Sequence, residues 1–225
     1  MRDSYRKQLE TLHNELILMG ALCEDAIAGA VTGLLEEDGE LRQKAIQCEK
    51  EIDLKEREIE SVCVRLLLRE QPVASDLRRI TAAQRMVNDM ERIGDQAADI
   101  AELAESMYEK RMAYGHFVEE TVKNGLHIGA MTEAVTEMLS ASVDSFVRED
   151  IWQAREVIKM DDVVDSLFRK VKQELIEVIA KDSKTGGACL DLLMIAKYLE
   201  RIGDHALNIA EWVVYSITGE RGEPA

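Results

Sequence analysis

Only two prolines, Pro72 and Pro224, interrupt the 225-residue chain, and aromatic residues make up just 4% of it. Proline breaks helix interiors, whereas strands favour aromatic and β-branched side chains between closely spaced turns. The two scarcities together argue against a sheet-built protein and favour long, uninterrupted helices. Cysteine is also sparse. Cys23, Cys48, Cys63 and Cys189 form no Cys-x-x-Cys pair, and three of them fall among helical core positions. Buried reduced thiols are therefore expected rather than a disulfide or zinc framework, in keeping with a cytoplasmic setting. The longest stretch without a charged residue, 26–35, is far short of the ~20 residues a helix needs to span a bilayer. The opening Met1-Arg-Asp-Ser-Tyr-Arg-Lys mixes both charges and runs into an amphipathic pattern, unlike a signal peptide. No transmembrane segment is expected, and any membrane role would be peripheral.

Positive charge is in deficit. Against 44 acidic residues stand 28 lysines and arginines, a formal net charge of −16. Such a chain is repelled by nucleic-acid backbones and by anionic lipid. It suits cations, or basic patches on protein partners. With 46% hydrophobic residues the chain is globular and long enough to bury a real core.

The breakers that do occur divide the chain into six helices. The first runs from about residue 3 to Glu37-Asp38-Gly39, and the second from about 40 to 70, ending before Pro72. The third spans about 75–112 with Ser75 as its N-cap. Tyr114-Gly115 marks a junction before a fourth helix reaching about 147. A fifth spans about 149–182, and Thr185-Gly186-Gly187 precedes a sixth ending near Thr218-Gly219. Three-plus-three helices invite a search for repeats. The stretch Met90-Glu-Arg-Ile-Gly-Asp-Gln-Ala-Ala-Asp-Ile-Ala-Glu102 aligns with Leu199-Glu-Arg-Ile-Gly-Asp-His-Ala-Leu-Asn-Ile-Ala-Glu211 at an offset of 109 residues. Gly20 and Gly129 keep this offset; Asp38 and Asp150, and Asp53 and Asp165, are 112 apart, so about one helical turn was gained within the fourth helix. Ile80, Ala83, Val87, Met90, Gly94, Ala97, Ala101 and Ala104 alternate steps of three and four, the seam of a packed bundle. The expected fold is all-α: two tandem antiparallel three-helix bundles related by internal duplication, with a first domain over 1–112, a second over 113–219 and a tail over 220–225.

On helical wheels at ~100° per residue, Glu91, Asp95 and Glu102 form one stripe at the border of the third helix's apolar face, and Asp99 lies further out. Glu200, Asp204 and Glu211 repeat the stripe, with Asn208 in place of Asp99. The second and fifth helices carry Glu49 with Asp53 and Asp161 with Asp165 at matching angles. Asp161 occupies a core step in the run Val157, Asp161, Val164, Phe168, Val171, Leu175. A carboxylate there is costly unless compensated. A bound cation, protonation, or pairing with Arg92 or Arg201 would each answer. If the helices face one another, four to six carboxylates converge in each half, a donor set for hard divalent cations or iron. Gly94 and Gly203, within the motifs, point to close helix approach or to clearance for a ligand. Against this stands an ordinary reading: acids fill helix surfaces, and Glu56, Glu58, Glu60, Glu102, Glu105 and Glu109 fit a solvated face.

These residues carry a resemblance. The doubled Glu-Arg-Ile-Gly-Asp helices, the acid pairs of the second and fifth helices and the closing Tyr215-Ser-Ile-Thr-Gly-Glu resemble the PhoU family, accessory proteins of phosphate-specific transport, over almost the whole chain. The resemblance implies tandem three-helix bundles with metal clusters held by E/DxxxD motifs. Carried over, the ligands are Glu49, Asp53, Glu91 and Asp95 in one half and Asp161, Asp165, Glu200 and Asp204 in the other, with Asp99, Glu102, Asn208 and Glu211 as additional or supporting groups. The metal is a divalent or trivalent ion: iron, zinc, manganese, magnesium or calcium. The resemblance further implies a non-catalytic negative regulator of phosphate uptake and phosphate-responsive signalling. It would be a homodimer linking the phosphate ABC transporter to a sensor histidine kinase at the cytoplasmic membrane face. Two positions depart from a strict repeat: Asp99 faces Asn208 and Asn88 faces Lys197, so the two clusters are not expected to be identical. The alternatives are a ferritin-like di-iron carboxylate enzyme, for which only Glu10-Thr-Leu-His13 has the Glu-x-x-His spacing, and a purely structural helical partner protein.

Overall fold

The chain is described by a computed structural model covering residues 2–110 and 126–220. Among the described residues six α-helices follow one another: α1 (Arg2–Leu35), α2 (Gly39–Glu70), α3 (Ser75–Glu109), α4 (Ile128–Arg148), α5 (Ile151–Lys181) and α6 (Gly186–Thr218). A single 3₁₀ turn, Ser183–Thr185, precedes α6, and no strand occurs among the described residues. The Tyr114-Gly115 junction, the 112/113 domain boundary and residues 221–225 of the tail lie outside the described residues.

The helix ends follow from local chemistry. Asp38 precedes α2 in an extended conformation and its carboxylate accepts from the amides of Glu40 and Leu41. Asp150 does the same for α5, accepting from Trp152 and Gln153. The repeat thus preserves the cap as well as the core. Gly219, at φ 81, closes α6 in the left-handed region. Two expectations are corrected. Ser75 is the first residue of α3 and makes no cap; Ala74 precedes it at φ 48 without a side-chain bond. Gly186 and Gly187 open α6 rather than precede it, because the break is made by the 3₁₀ turn.

Helices α1, α2 and α3 pack mutually, as do α4, α5 and α6, giving one bundle per half. The halves join where α3 lies along α6 and α1 against α4; α2 and α5 are left on the outside. This joining explains why α3 is apolar on two faces. The expected seam is buried throughout, and a second stripe (Ala82, Met86, Ile93, Ile100 and Met107) is buried beside it. Polar contacts tie the joint. Asp89 Oδ1 lies 2.9 Å from His205 Nδ1 and accepts from Asn208 Nδ2 at 3.2 Å. Arg79 pairs with Glu149, and Lys110 Nζ stands 3.5 Å from Asp191. All four cysteines are free and buried. Among the described residues, one helical stretch is apolar enough to be weighed as a membrane span, Tyr5–Leu35, and its Leu12, Leu16, Met19, Cys23, Ala26 and Ile27 are core residues.

Candidate metal centres

Glycines set the distance between the helices that carry the acids. A Cβ on Gly94 would stand 2.9 Å from Ile52 Cδ1 and 3.2 Å from its Cγ2, and a Cβ on Gly203 would stand 3.2 Å from Val164 Cγ1. Ile52 and Val164 are repeat equivalents and both are buried. Of the two roles open to these glycines, close helix approach is the one they serve. Asp53 follows Ile52, and Asp165 follows Val164. The same contact that seats α2 on α3 therefore brings Asp53 to the level of Glu91 and Asp95, and α5 on α6 repeats the arrangement with Asp165, Glu200 and Asp204.

The carboxylates feel one another. In the first half, burial pushes Glu49 above its ordinary value, with Asp53 and Asp95 on the facing helix reinforcing it. Glu91 is raised by burial, then by Asp95, with Asp53 and Glu56 adding from α2 and Arg92 opposing. In the second half Asp161 is pushed up from 3.8 to about 6, by burial first and then by Asp165, Asp204, Asp162 and Glu200. Asp204 is raised by burial and Glu200, against the pull of Lys197. Desolvation and like charge together are the mark of acids assembled without a matching cation.

The three compensations open to these acids are distributed unequally. Pairing is used in the first half: Arg92 Nη1 lies 2.8 Å from Asp95 Oδ2 and its Nε 3.3 Å from Glu91 Oε2, and Arg57 stands 3.9 Å from Asp53. Arg201 does not pair with the second cluster; Lys197 pairs with Glu200 instead. Asp161 takes up protonation more readily than an ordinary aspartate. As the side chains stand, no three His, Cys, Asp or Glu groups among the described residues form a ready-made cage. The donor set is nonetheless all carboxylate oxygen, gathered on facing helices and short of positive charge. It fits a hard cation after side-chain rotation, not a soft ion that selects thiolate.

The supporting residues take different positions, and Glu102 acts on Glu49 of the first cluster. Asp99, placed far from the apolar face on the wheel, is half-buried because α6 covers that side; burial, Glu102 and Asp95 raise it while Arg201 opposes. Asn208 donates to Asp89 at the joint between halves. Glu102 is exposed and Glu211 half-buried. Glu56, read as solvated, is half-buried and raised, by burial first and then by Glu60 and Asp53; its spacing of three from Asp53 was the available signal. His13 stacks edge-on against Phe146 at 5.7 Å, at the α1–α4 contact, and His205 faces Asp89. Neither histidine joins an acid cluster, so the Glu-x-x-His geometry of a di-iron bundle is absent among the described residues.

Fold and site define a class: a duplicated three-helix bundle with one carboxylate cluster per half, each set between the second and third helices of its bundle. The PhoU domain matches the chain twice, over residues 16–104 and 128–213. The chain belongs to the PhoU family. It is 34% identical, over 98% of its length and 97% of the relative's, to the phosphate-specific transport system accessory protein PhoU homolog of Clostridium acetobutylicum. The crystal structure of PhoU from Pseudomonas aeruginosa superposes with a TM-score of 0.85 at 34% identity, covering 96% of this chain and all of that one. The phosphate transport system regulatory protein PhoU from Streptococcus pneumoniae superposes at 0.84 with 25% identity, covering 98% and 100%.

Proposed function

We propose that this protein regulates phosphate transport as a non-catalytic helical adaptor, restraining uptake and phosphate-responsive signalling when phosphate is plentiful. The observation that carries this reading is the end-to-end correspondence with proteins named as phosphate-specific transport accessory or regulatory proteins. The partners are components of the phosphate ABC transporter and a sensor histidine kinase, met at the cytoplasmic membrane face by a protein that is itself cytoplasmic and homodimeric. Glu49, Asp53, Glu91 and Asp95 would hold a cation in one half, and Asp161, Asp165, Glu200 and Asp204 in the other. Such ions would neutralise the repelling carboxylates, tighten α2 on α3 and α5 on α6, and offer a positive centre to phosphate or carboxylate oxygens of a partner. Without them a chain of net charge −16 repels anions.

The test is phosphate uptake in cells lacking the gene, grown at high phosphate, combined with capture of partners by the tagged protein at high and low phosphate. Uptake should rise in the deletion, fall on complementation, and transporter subunits should be recovered. Unchanged uptake with no transporter subunit captured under either condition would overturn the reading.

A further inference from the structure

The two halves repeat Glu-Arg-Ile-Gly-Asp, yet their arginines take different paths. Arg92 spans both acids of its own motif, at 3.3 Å from Glu91 and 2.8 Å from Asp95. Arg201 makes no ion pair within 4.0 Å among the described residues, and its charge acts on Asp99 across the joint. The departures from the repeat account for this. Lys197, aligned with Asn88, already pairs with Glu200 while its ammonium sits 5.6 Å from the Phe168 ring. The charge of Arg201 acts on Asp99, whereas the counterpart of Asp99, Asn208, is neutral and committed to Asp89. Arg92 is therefore left to its own motif. In the first half Asp53, Glu91 and Asp95 each have a cationic partner; in the second, among the described residues, only Glu200 does.

We propose that the clusters load with divalent cations in order, the second half first, and that Arg92 sets this order by acting as a built-in counter-ion of the first cluster. The proposal rests on the cation-binding reading of the clusters. An entering ion needs the same Glu91 and Asp95 oxygens that the guanidinium holds, so binding in the first half includes displacement of Arg92. With its side chain 59% exposed, Arg92 can swing into water without rearranging the bundle. Exposed ion pairs are weak, so the competition lowers first-half affinity by about three- to tenfold, not by orders of magnitude. In the second half Asp161, Asp165 and Asp204 are open to the ion at once.

Calorimetric titration of the full chain with Mn²⁺ tests this. The wild type should show two classes of site. Asp161→Asn with Asp165→Asn should remove the tighter class, and Glu49→Gln with Asp53→Asn the weaker. In the Asp161→Asn/Asp165→Asn background, Arg92→Gln should strengthen the remaining class about three- to tenfold. Arg201→Gln should leave it unchanged, and Arg92→Lys, which keeps the charge, should strengthen it less than Arg92→Gln. Equal classes in the wild type, or an unchanged or weaker first-half site in Arg92→Gln, overturn the role of Arg92 while leaving cation binding intact. Absence of any Mn²⁺ binding by the wild type overturns the cation-binding reading and this proposal with it.

Discussion

Arg42 has 2% of its surface exposed and is the largest fully buried side chain among the described residues. Its Nε donates to Glu105 at 2.6 Å, its Nη1 donates to the Gly33 carbonyl at 2.7 Å, and its guanidinium lies 5.1 Å from the Tyr108 ring centre. Gly33 makes room for it: a Cβ there would stand 2.6 Å from Arg42 Cγ and 3.0 Å from Arg42 N. The repeat places Ala154 and Val214 at the positions of Arg42 and Glu105, so the second half meets the same need with apolar packing. Removing one partner of a buried pair leaves the other uncompensated, while an unbranched apolar side chain of similar length still fills the volume and avoids the added cost of a cavity. Arg42→Ala is expected to cost about 2–3 kcal/mol, Glu105 being partly solvated, and Arg42→Met clearly less. Urea unfolding of the three proteins checks this; equal losses for Ala and Met would show that the charge, not the volume, matters. The sequence did not mark this pair. Glu105 lies on a face whose acids fit a solvated surface, and an arginine buried 63 positions away leaves no local trace. The acids that gather on α2 and α3 and on α5 and α6 stood out because their spacing of four is local and repeated.

At the scale of the helix, what was legible is whatever a helix states along its own length. The buried stripe of α3, the end of α2 before Pro72 and the end of α6 at Gly219 all follow from periodicity and from residues that cannot continue a helix. Ser75 failed as a cap because Pro72 and the strained Ala74 decide the backbone before the serine can act. The second apolar face of α3 was missed because a wheel centred on Met90 assigns one face to one bundle, and α3 serves two. Asp99 was misplaced for the same reason. Asp38 and Asp150 are the cleanest test of the repeat at this scale. Each accepts two amide hydrogens at the start of an outer helix, and those helices carry half of the clustered acids. Asp38→Ala and Asp150→Ala should each destabilise by about 1 kcal/mol. Asparagine at either position should cost much less, because its carbonyl oxygen accepts the same bonds. The double alanine variant should show nearly the sum of the two losses in urea unfolding, since the caps lie in different halves. A double variant no worse than either single one would mean that α2 and α5 are fixed by the core alone.

For the whole molecule, the acid clusters make stability depend on pH in an unusual direction. Glu49, Glu91, Asp99, Asp161 and Asp204 are all held above their ordinary values, by burial first and then by neighbouring acids. A carboxyl group raised on folding binds its proton more tightly in the folded chain than in the unfolded one. Its contribution is fully present below the unfolded value and is lost as pH rises through the folded value. For Asp161 that window runs from 3.8 to about 6. The cation-free protein should therefore melt at a lower temperature at pH 7.5 than at pH 5.5, although most proteins are near their optimum across that range. A divalent cation reverses the order, because it binds the ionised carboxylates of the folded chain and competes with protons. At a hundredfold excess over its dissociation constant it should add about 2.7 kcal/mol at pH 7.5 and much less at pH 5.5. Thermal melts with and without Mn²⁺ at the two pH values test both halves of the statement. A cation-free protein more stable at pH 7.5 would mean that the acids are solvated and independent. A melting temperature indifferent to Mn²⁺ at pH 7.5 would mean that the joined bundles gather these carboxylates for some purpose other than holding a metal.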